Sequence, residues 1–323
     1  MIRAFKADLL YGATGTLKTS NAGKAALYYH NLSGKKTLWV SADGGGWEPV
    51  QSLVDEGIIV PWAIRDRFNL LESLDFACQG YWPKNMDDPK SPVVKYPMDD
   101  VALVVYEGLT SFGDAILAYM RAHHDTMKTS QEASYVIRDG ATSYAGGNIS
   151  QFGFVQDRLY EFVMKTHMLP VEKVLWTALE AKGEEEGTRI PIFGPAIAGK
   201  KATGKAGQWF GNMLHFDVVN KDTAAEVDPV TKKVLDAKIS SEYRMYLRPH
   251  AEPSSKIMFP AKTRAPFQYA TELPEWMTPD LGALYGKIEE LKRKASAEIS
   301  RRVAEALPKV APINKAVSNI TLK

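Results

Sequence analysis

Residues 10–20 read LYGATGTLKTS and follow directly on the apolar run Phe5–Tyr11. The run predicts a buried strand, and the alanine-rich residues 19–32 predict a helix. The turn between them holds Gly12 and Gly15, which allow backbone N–H groups to approach an anion closely. The stretch therefore predicts a strand, an anion-binding turn and a helix in succession.

The turn is similar to the phosphate-binding pattern G-x-x-x-x-G-K-[ST]. Gly12, Lys18 and Thr19 match in register, but Leu17 stands where the pattern has its second glycine. We expect Lys18 to contact the β and γ phosphates and Thr19 to bind Mg²⁺. The alternative is a strand-to-helix turn with an incidental lysine. The expected nucleotide-binding residues are consecutive: Gly12, Ala13, Thr14, Gly15, Thr16, Leu17, Lys18, Thr19 and Ser20.

Composition limits the classes of protein to consider. The chain has 323 residues, 45% of them hydrophobic, and a net charge of +2, so any nucleic-acid contact requires a local basic patch. A single cysteine, Cys78, excludes an internal disulfide and a cysteine-based zinc site. No apolar run approaches the length of a membrane span, and no signal peptide is evident. We expect a cytoplasmic protein.

Apolar runs alternate with helical periodicity along the chain. This alternation predicts an α/β fold with a mainly parallel, twisted sheet flanked by helices, followed by a β-hairpin region and a terminal helix over residues 279–307. Residues 82–100 are expected to form a surface insertion. Residues 125–150 and 182–207 are expected to form long polar loops, and such loops inside a compact domain tend to be functional or disordered.

Two acidic residues follow predicted buried strands. Glu107 ends the apolar run VALVVY of residues 101–106 and is the expected Mg²⁺ carboxylate, the alternative being a plain loop carboxylate. Asp43 ends the run KTLWVSA of residues 36–42, on a strand expected to lie next to the first. Asp43 is therefore the candidate base that activates water, with Glu48 as second choice. The alternative is a glycine-rich turn that begins with aspartate.

The order of these motifs over residues 5–270 resembles that of the RecA-like P-loop ATPases. The resemblance is closest to phage-encoded nucleotide-binding proteins of the single-strand annealing and recombination type. It implies a RecA-like core over residues 1–270 and a helical extension with a tail over 271–323. It also implies ATP and Mg²⁺ as ligands and, for a phage protein, the host-cell cytoplasm as location. Leu17, Glu107 and Asp43 depart from the family pattern.

The resemblance also assigns roles further along the chain. Thr177 or Glu180 would sense the γ-phosphate. Lys262 and Arg264 match the K-x-R finger that reaches the nucleotide of a neighbouring subunit, which requires a homo-oligomer, whether ring or filament. The alternative for this pair is a solvated basic turn.

In RecA-like proteins the loops after the central strands hold single-stranded DNA. The second loop here is rich in glycine and carries basic residues, although the acidic run 184–186 in the same loop opposes binding. A surface loop is the alternative. The expected DNA contacts are Arg189, Lys200, Lys201 and Lys205.

Two other functions fit the same motifs. A P-loop kinase would share the phosphate loop but needs an arginine-rich lid. A nucleotide-binding scaffold with little turnover would agree with the substitution of Leu17 for glycine.

Overall fold

The computed structural model describes residues 5–42, 46–64, 70–85, 88, 90–122, 136–139, 142–145, 149–184, 191–197, 203, 205–222, 239–251 and 257–306. Its helices and strands follow one another in this order: β1 (Ala7–Gly12), α1 (Lys18–Ser33), β2 (Lys36–Ser41), α2 (Gln51–Asp55), β3 (Ile59–Ala63), α3 (Leu70–Cys78), β4 (Tyr81–Pro83), β5 (Val93–Lys95), β6 (Val101–Glu107), α4 (Leu109–Ala122), β7 (Val136–Asp139), β8 (Thr142–Ala145), α5 (Ile149–Thr166), β9 (Lys173–Ala178), β10 (Glu180–Glu184), β11 (Pro191–Pro195), β12 (Met213–Asp222), β13 (Ile239–Tyr246), β14 (His250–Ala251), β15 (Met258–Phe259), β16 (Trp276–Met277) and α6 (Leu281–Ala306).

An eight-stranded sheet in the order β16-β13-β12-β1-β9-β6-β2-β3 forms the centre of the molecule. The six strands from β12 to β3 run parallel, whereas β13 and β16 are antiparallel to their neighbours. The structure thus confirms the predicted fold class, including the antiparallel β12–β13 pair and the terminal helix.

The expected neighbour of the first strand is wrong. β2 was predicted to lie beside β1, but β9 and β6 lie between them. The strands flanking β1 are β9 and β12. The order of strands in a sheet depends on where each crossover connection returns the chain. The alternation of strands and helices along the sequence does not determine those positions.

The predicted long loop over residues 182–207 is also only partly a loop. The antiparallel strands β10 and β11 overlap it and belong to a second sheet in the order β10-β11-β15-β14. Glycine and proline within these strands hide them from a reading based on strand propensity. These strands are defined by backbone pairing with neighbouring strands and not by a pattern of side chains.

Alternate residues of β1 pack on opposite faces of the main sheet. Leu9 and Tyr11 join the hydrophobic cluster beneath α3, α4 and α5, and Leu10 joins the cluster beneath α1 and α6. All three side chains are fully buried, as expected of a parallel strand covered on both faces. Among the described residues, none of the helices has the length and apolar character that crossing a membrane requires.

The terminal helix packs on the core of its own chain, a choice that its sequence left open. Its apolar side chains join the cluster beneath α1, and Tyr285 reaches the buried carboxylate of Asp8 in β1, with 3.0 Å between the oxygens. Asp8 also accepts hydrogen bonds from the backbone and side-chain nitrogens of Asn212, at 2.9 and 2.8 Å. The ammonium of Lys173 lies 2.5 Å from the same carboxylate. One buried carboxylate therefore joins β1, β9, α6 and the residue that precedes β12.

We predict that Asp8→Ala lowers the free energy of unfolding by about 3–5 kcal/mol, because it leaves a nearly buried ammonium and three other donors without their acceptor. Urea denaturation measures the change. Glu289→Ala removes an exposed ion pair with Lys292 on α6 and is the matched control, with an expected loss below about 1 kcal/mol. Equal losses in the two variants would contradict the structural role given to Asp8.

Candidate nucleotide-binding site

The turn between β1 and α1 needs glycine for steric reasons. A Cβ atom at Gly12 would lie 2.1 Å from the carbonyl oxygen of Phe216 in β12, so no side chain fits there. Gly15 has a φ of 80°, in the left-handed region that glycine adopts without strain. The turn ends where α1 begins at Lys18, so that the unpaired N–H groups of the first helical turn lie beside it.

Leu17 occupies the position at which the phosphate-loop pattern has glycine, and its backbone explains that preference. Its φ of 68° and ψ of 19° are left-handed, and no other non-glycine residue among those described has a positive φ. For an L-residue this conformation costs about 1–2 kcal/mol. The Leu17 carbonyl accepts hydrogen bonds from the backbone and side chain of Asn21, both at 3.0 Å, which helps to hold the turn.

Lys18 lies over the turn. Its Nζ donates hydrogen bonds to the carbonyl oxygens of Gly12, at 2.8 Å, and Ala13, at 2.6 Å. Burial lowers the pKa of Lys18 to about 8, and the negative charges of Glu180 and Glu107 oppose that shift. The lysine is therefore still mainly an ammonium ion at pH 7 and can exchange its carbonyl partners for phosphate oxygens.

The structure brings the two predicted Mg²⁺ ligands together. Glu107, at the end of β6, is only 7% exposed, and its Oε1 accepts a hydrogen bond from the Thr19 hydroxyl. Its Oε2 accepts a second hydrogen bond from the indole nitrogen of Trp39, at 2.9 Å. A Cβ atom at Gly46 would lie 2.8 Å from the same oxygen, so the backbone of Gly46 also approaches the carboxylate closely.

A hydroxyl and one carboxylate suit Mg²⁺, which is commonly held by one or two protein oxygens together with phosphates and water. Within the described ranges no group of three acidic, histidine or cysteine side chains could hold a metal by itself. Trp39 was placed on a buried strand by its sequence, but its hydrogen bond to Glu107 was not foreseen. A buried indole N–H usually has a hydrogen-bond partner, and this requirement could have indicated a nearby acceptor for Trp39.

Lys18, Thr19 and Glu107 border a cavity of about 470 Å³, a volume within the usual range for small-molecule sites. Thr177, one of the two predicted phosphate sensors, lines it and accepts a hydrogen bond from the backbone nitrogen of Gly108, at 3.0 Å. The cavity is lined by Thr14, Gly15, Thr16, Leu17, Lys18, Thr19, Ser20, Pro49, Glu107, Gly108, Thr110, Ser111, Thr177, Ala178 and Leu179.

Several predicted residues fall outside the described part of the chain: Asp43, Arg189, Lys200 and Lys201. Lys205 is described and lies half-buried at the start of a short 3₁₀ turn. Glu48, the second choice for the base, is exposed and precedes Pro49, which lines the cavity.

Lys262 and Arg264 lie away from the phosphate loop of their own chain. The backbone of Lys262 pairs with that of Met213 at the start of β12, through hydrogen bonds of 2.9 and 2.8 Å. The Arg264 guanidinium lies 4.5 Å from the ring centre of Phe5, just before β1. These are the amino-terminal ends of parallel strands, whereas the phosphate loop follows the carboxyl-terminal end. The pair therefore lies at the end of the sheet opposite the candidate phosphate loop of its own chain.

The comparisons with known proteins add little to this geometry. No protein-family model matches the sequence, and no curated protein matches it significantly. Among solved structures, the RadB recombinase is similar over 79% of this chain and 90% of its own, with 14% identical residues and a TM-score of 0.36. A likeness at this level supports no argument about function, and the description of the fold rests on the strand order given above.

We predict that Leu17→Gly leaves the free energy of unfolding unchanged or raises it by up to about 1 kcal/mol. Relief of the left-handed strain offsets the greater entropy of glycine in the unfolded chain. Leu27→Gly is the matched control, because Leu27 is similarly exposed (40% against 37%) but lies in the regular part of α1. It should cost about 1 kcal/mol in the same urea titration. An equal loss at the two positions would contradict strain at Leu17.

Proposed function

We propose that the chain is a Mg²⁺-dependent ATPase of RecA-like type that oligomerises and acts on single-stranded DNA in phage recombination, annealing or replication. The observation that carries the proposal is the meeting of Lys18, Thr19 and Glu107 at a cavity beside the amino terminus of α1. A helix terminus, a lysine, a hydroxyl and a carboxylate form the set of groups that a Mg²⁺-triphosphate requires.

In this proposal the backbone N–H groups of residues 12–20 and the Lys18 ammonium bind the phosphates. Thr19 and Glu107 hold Mg²⁺, directly or through water, and Mg²⁺ when bound neutralises charge on the phosphate oxygens. The contact between Thr19 and Glu107 supports this assignment, because it brings the hydroxyl and the carboxylate close enough to share one ion.

Hydrolysis needs a group that takes a proton from water. Asp43 is the proposed base: the water oxygen attacks the γ-phosphorus, the bond to the bridging oxygen breaks and ADP leaves with the electron pair. Thr177 or Glu180 would sense the γ-phosphate. Arg264, assisted by Lys262, would stabilise the transition-state charge on the neighbouring subunit. This pair lies at the amino-terminal ends of the parallel strands, opposite the phosphate loop, and that position suits action in trans and not in cis.

Single-stranded DNA is the proposed ligand of the second polar segment. Arg189 falls between β10 and β11, and Lys200, Lys201 and Lys205 follow β11, so all four belong to the segments around this hairpin. Because β10 continues directly from the residues that line the cavity, a DNA strand bound here would lie on the segment next to the nucleotide.

Two rivals make different predictions in one assay. A P-loop kinase transfers phosphate to an acceptor instead of releasing it, and a nucleotide-binding scaffold binds ATP with almost no turnover. Phosphoryl transfer to an acceptor identifies a kinase, and steady-state phosphate release, measured with and without single-stranded DNA, separates the ATPase from the scaffold. Stimulation of release by DNA supports the proposed ATPase. Binding of ATP with neither phosphate release nor phosphoryl transfer would instead favour the scaffold.

We predict that Lys18→Ala weakens the binding of Mg-ATP at least tenfold, because a charged contact to phosphate is worth about 1.5–3 kcal/mol. Equilibrium binding of a fluorescent ATP analogue measures the change. Lys24→Ala is the matched control on the same helix, since Lys24 donates to the carbonyl oxygen of Pro279 away from the turn. Unchanged affinity in Lys18→Ala would overturn the nucleotide-site assignment.

We predict that mixing Lys18→Ala with Arg264→Ala subunits restores part of the ATPase activity that each variant lacks alone. In a mixed oligomer an intact phosphate loop can face an intact arginine, because the two belong to different subunits. Phosphate release across a series of mixing ratios measures the rescue. The failure of every ratio to exceed the sum of the separate variants would count against a finger that acts in trans.

A further inference from the structure

A chain of hydrogen bonds outside the phosphate loop ends beside it. His215, on β12, is 1% exposed, and its Nε2 lies 3.0 Å from Oε2 of Glu180 at the start of β10. Its Nδ1 lies 3.2 Å from Nε2 of His250 on β14. Three side chains from three strands thus form one continuous line.

The chemistry of the carboxylate sets the direction of the first bond. A carboxylate only accepts hydrogen bonds, so His215 donates its Nε2–H to Glu180. The Nδ1 of His215 faces Nε2 of His250. Burial, with His215 as the second cause, lowers the pKa of His250 to about 4, so the His250 ring is neutral at pH 7.

Neighbouring rings hold His215 in place. Its ring centre lies 4.8 Å from that of Tyr11 and 4.6 Å from that of Phe259. Tyr246 stacks on His250. Two titratable side chains, Tyr11 and Tyr246, also pack against His215. Burial, and then Glu180, raises the pKa of Tyr11, whose hydroxyl donates to the Pro260 carbonyl oxygen at 2.6 Å.

Glu180 is close enough to affect the phosphate-binding lysine. It follows directly on Ala178 and Leu179, which line the cavity, and its carboxylate exerts the largest opposing charge on the pKa of Lys18. Yet the ammonium of Lys18 donates to backbone carbonyls of the turn, while the carboxylate of Glu180 accepts from His215. Released from His215, this carboxylate would compete with phosphate for the lysine.

We propose that His215 is a positioning residue that holds the Glu180 carboxylate away from the Lys18 ammonium and so keeps the lysine available to phosphate. His250 lies at the other ring nitrogen of His215 and helps to fix the orientation of its ring. The inference rests on the proposed nucleotide site, but it concerns residues outside the phosphate loop and makes its own prediction about them.

The test is a cycle of variants at positions 215 and 180, read by equilibrium binding of Mg-ATP to the full-length protein. We expect His215→Leu to weaken binding about tenfold, because Glu180 then pairs with Lys18. The double variant His215→Leu/Glu180→Gln should return to within about threefold of Glu180→Gln alone, because the competing charge is gone. His215→Gln, whose amide can still donate to Glu180, should bind as the unchanged protein does.

Phe259→Leu is the matched control for packing, since it removes a stacked ring but no hydrogen bond to Glu180; its affinity should change less than threefold. If His215→Leu fails to fold, His215→Asn replaces it, because this shorter amide does not reach Glu180. A double variant as weak as the single one, or equal losses in Phe259→Leu and the His215 variant, would overturn the inference alone. Unchanged protein that binds no Mg-ATP would overturn the proposed function with it.

Discussion

The candidate site depends on one contact across the sheet, the hydrogen bond from the Thr19 hydroxyl to the carboxylate of Glu107. Because β9 separates β1 from β6, the phosphate loop and the acidic strand are not neighbours, and the first turn of α1 must reach over the intervening strand. Trp39 holds the other oxygen of the same carboxylate from β2. The Glu107 carboxylate therefore fixes the positions of α1, β6 and β2 relative to one another.

Most of the central sheet could be predicted from the sequence, because buried parallel strands read as continuous apolar runs. The run over residues 101–106 and residues 7–11 of the run before Gly12 lie in fully buried strands. The hairpin β10–β11 could not be predicted in this way. Its residues include glycine, proline and charged side chains, and its strands are defined by backbone pairing to each other and to β15. Such pairing leaves no periodic trace in the chain.

The site shows the same division. Lys18, Thr19 and Glu107 were identified from a local motif and a strand end, and the structure places them together. The argument for Asp43 relied on β2 lying beside β1, and the strand order contradicts that premise because β9 and β6 lie between them. Asn212 and Tyr285 meet Asp8 from positions 204 and 277 residues away in sequence. Contacts of that kind depend on the complete topology, which no local pattern contains.

The left-handed backbone of Leu17 bears on how such loops are recognised at all. The fold requires a left-handed backbone conformation at this position, and glycine is the residue that adopts it with the least strain. Asparagine and aspartate tolerate the same angle better than leucine does. A comparison of residue types misses a loop of this kind, whereas a comparison of backbone torsion angles finds it.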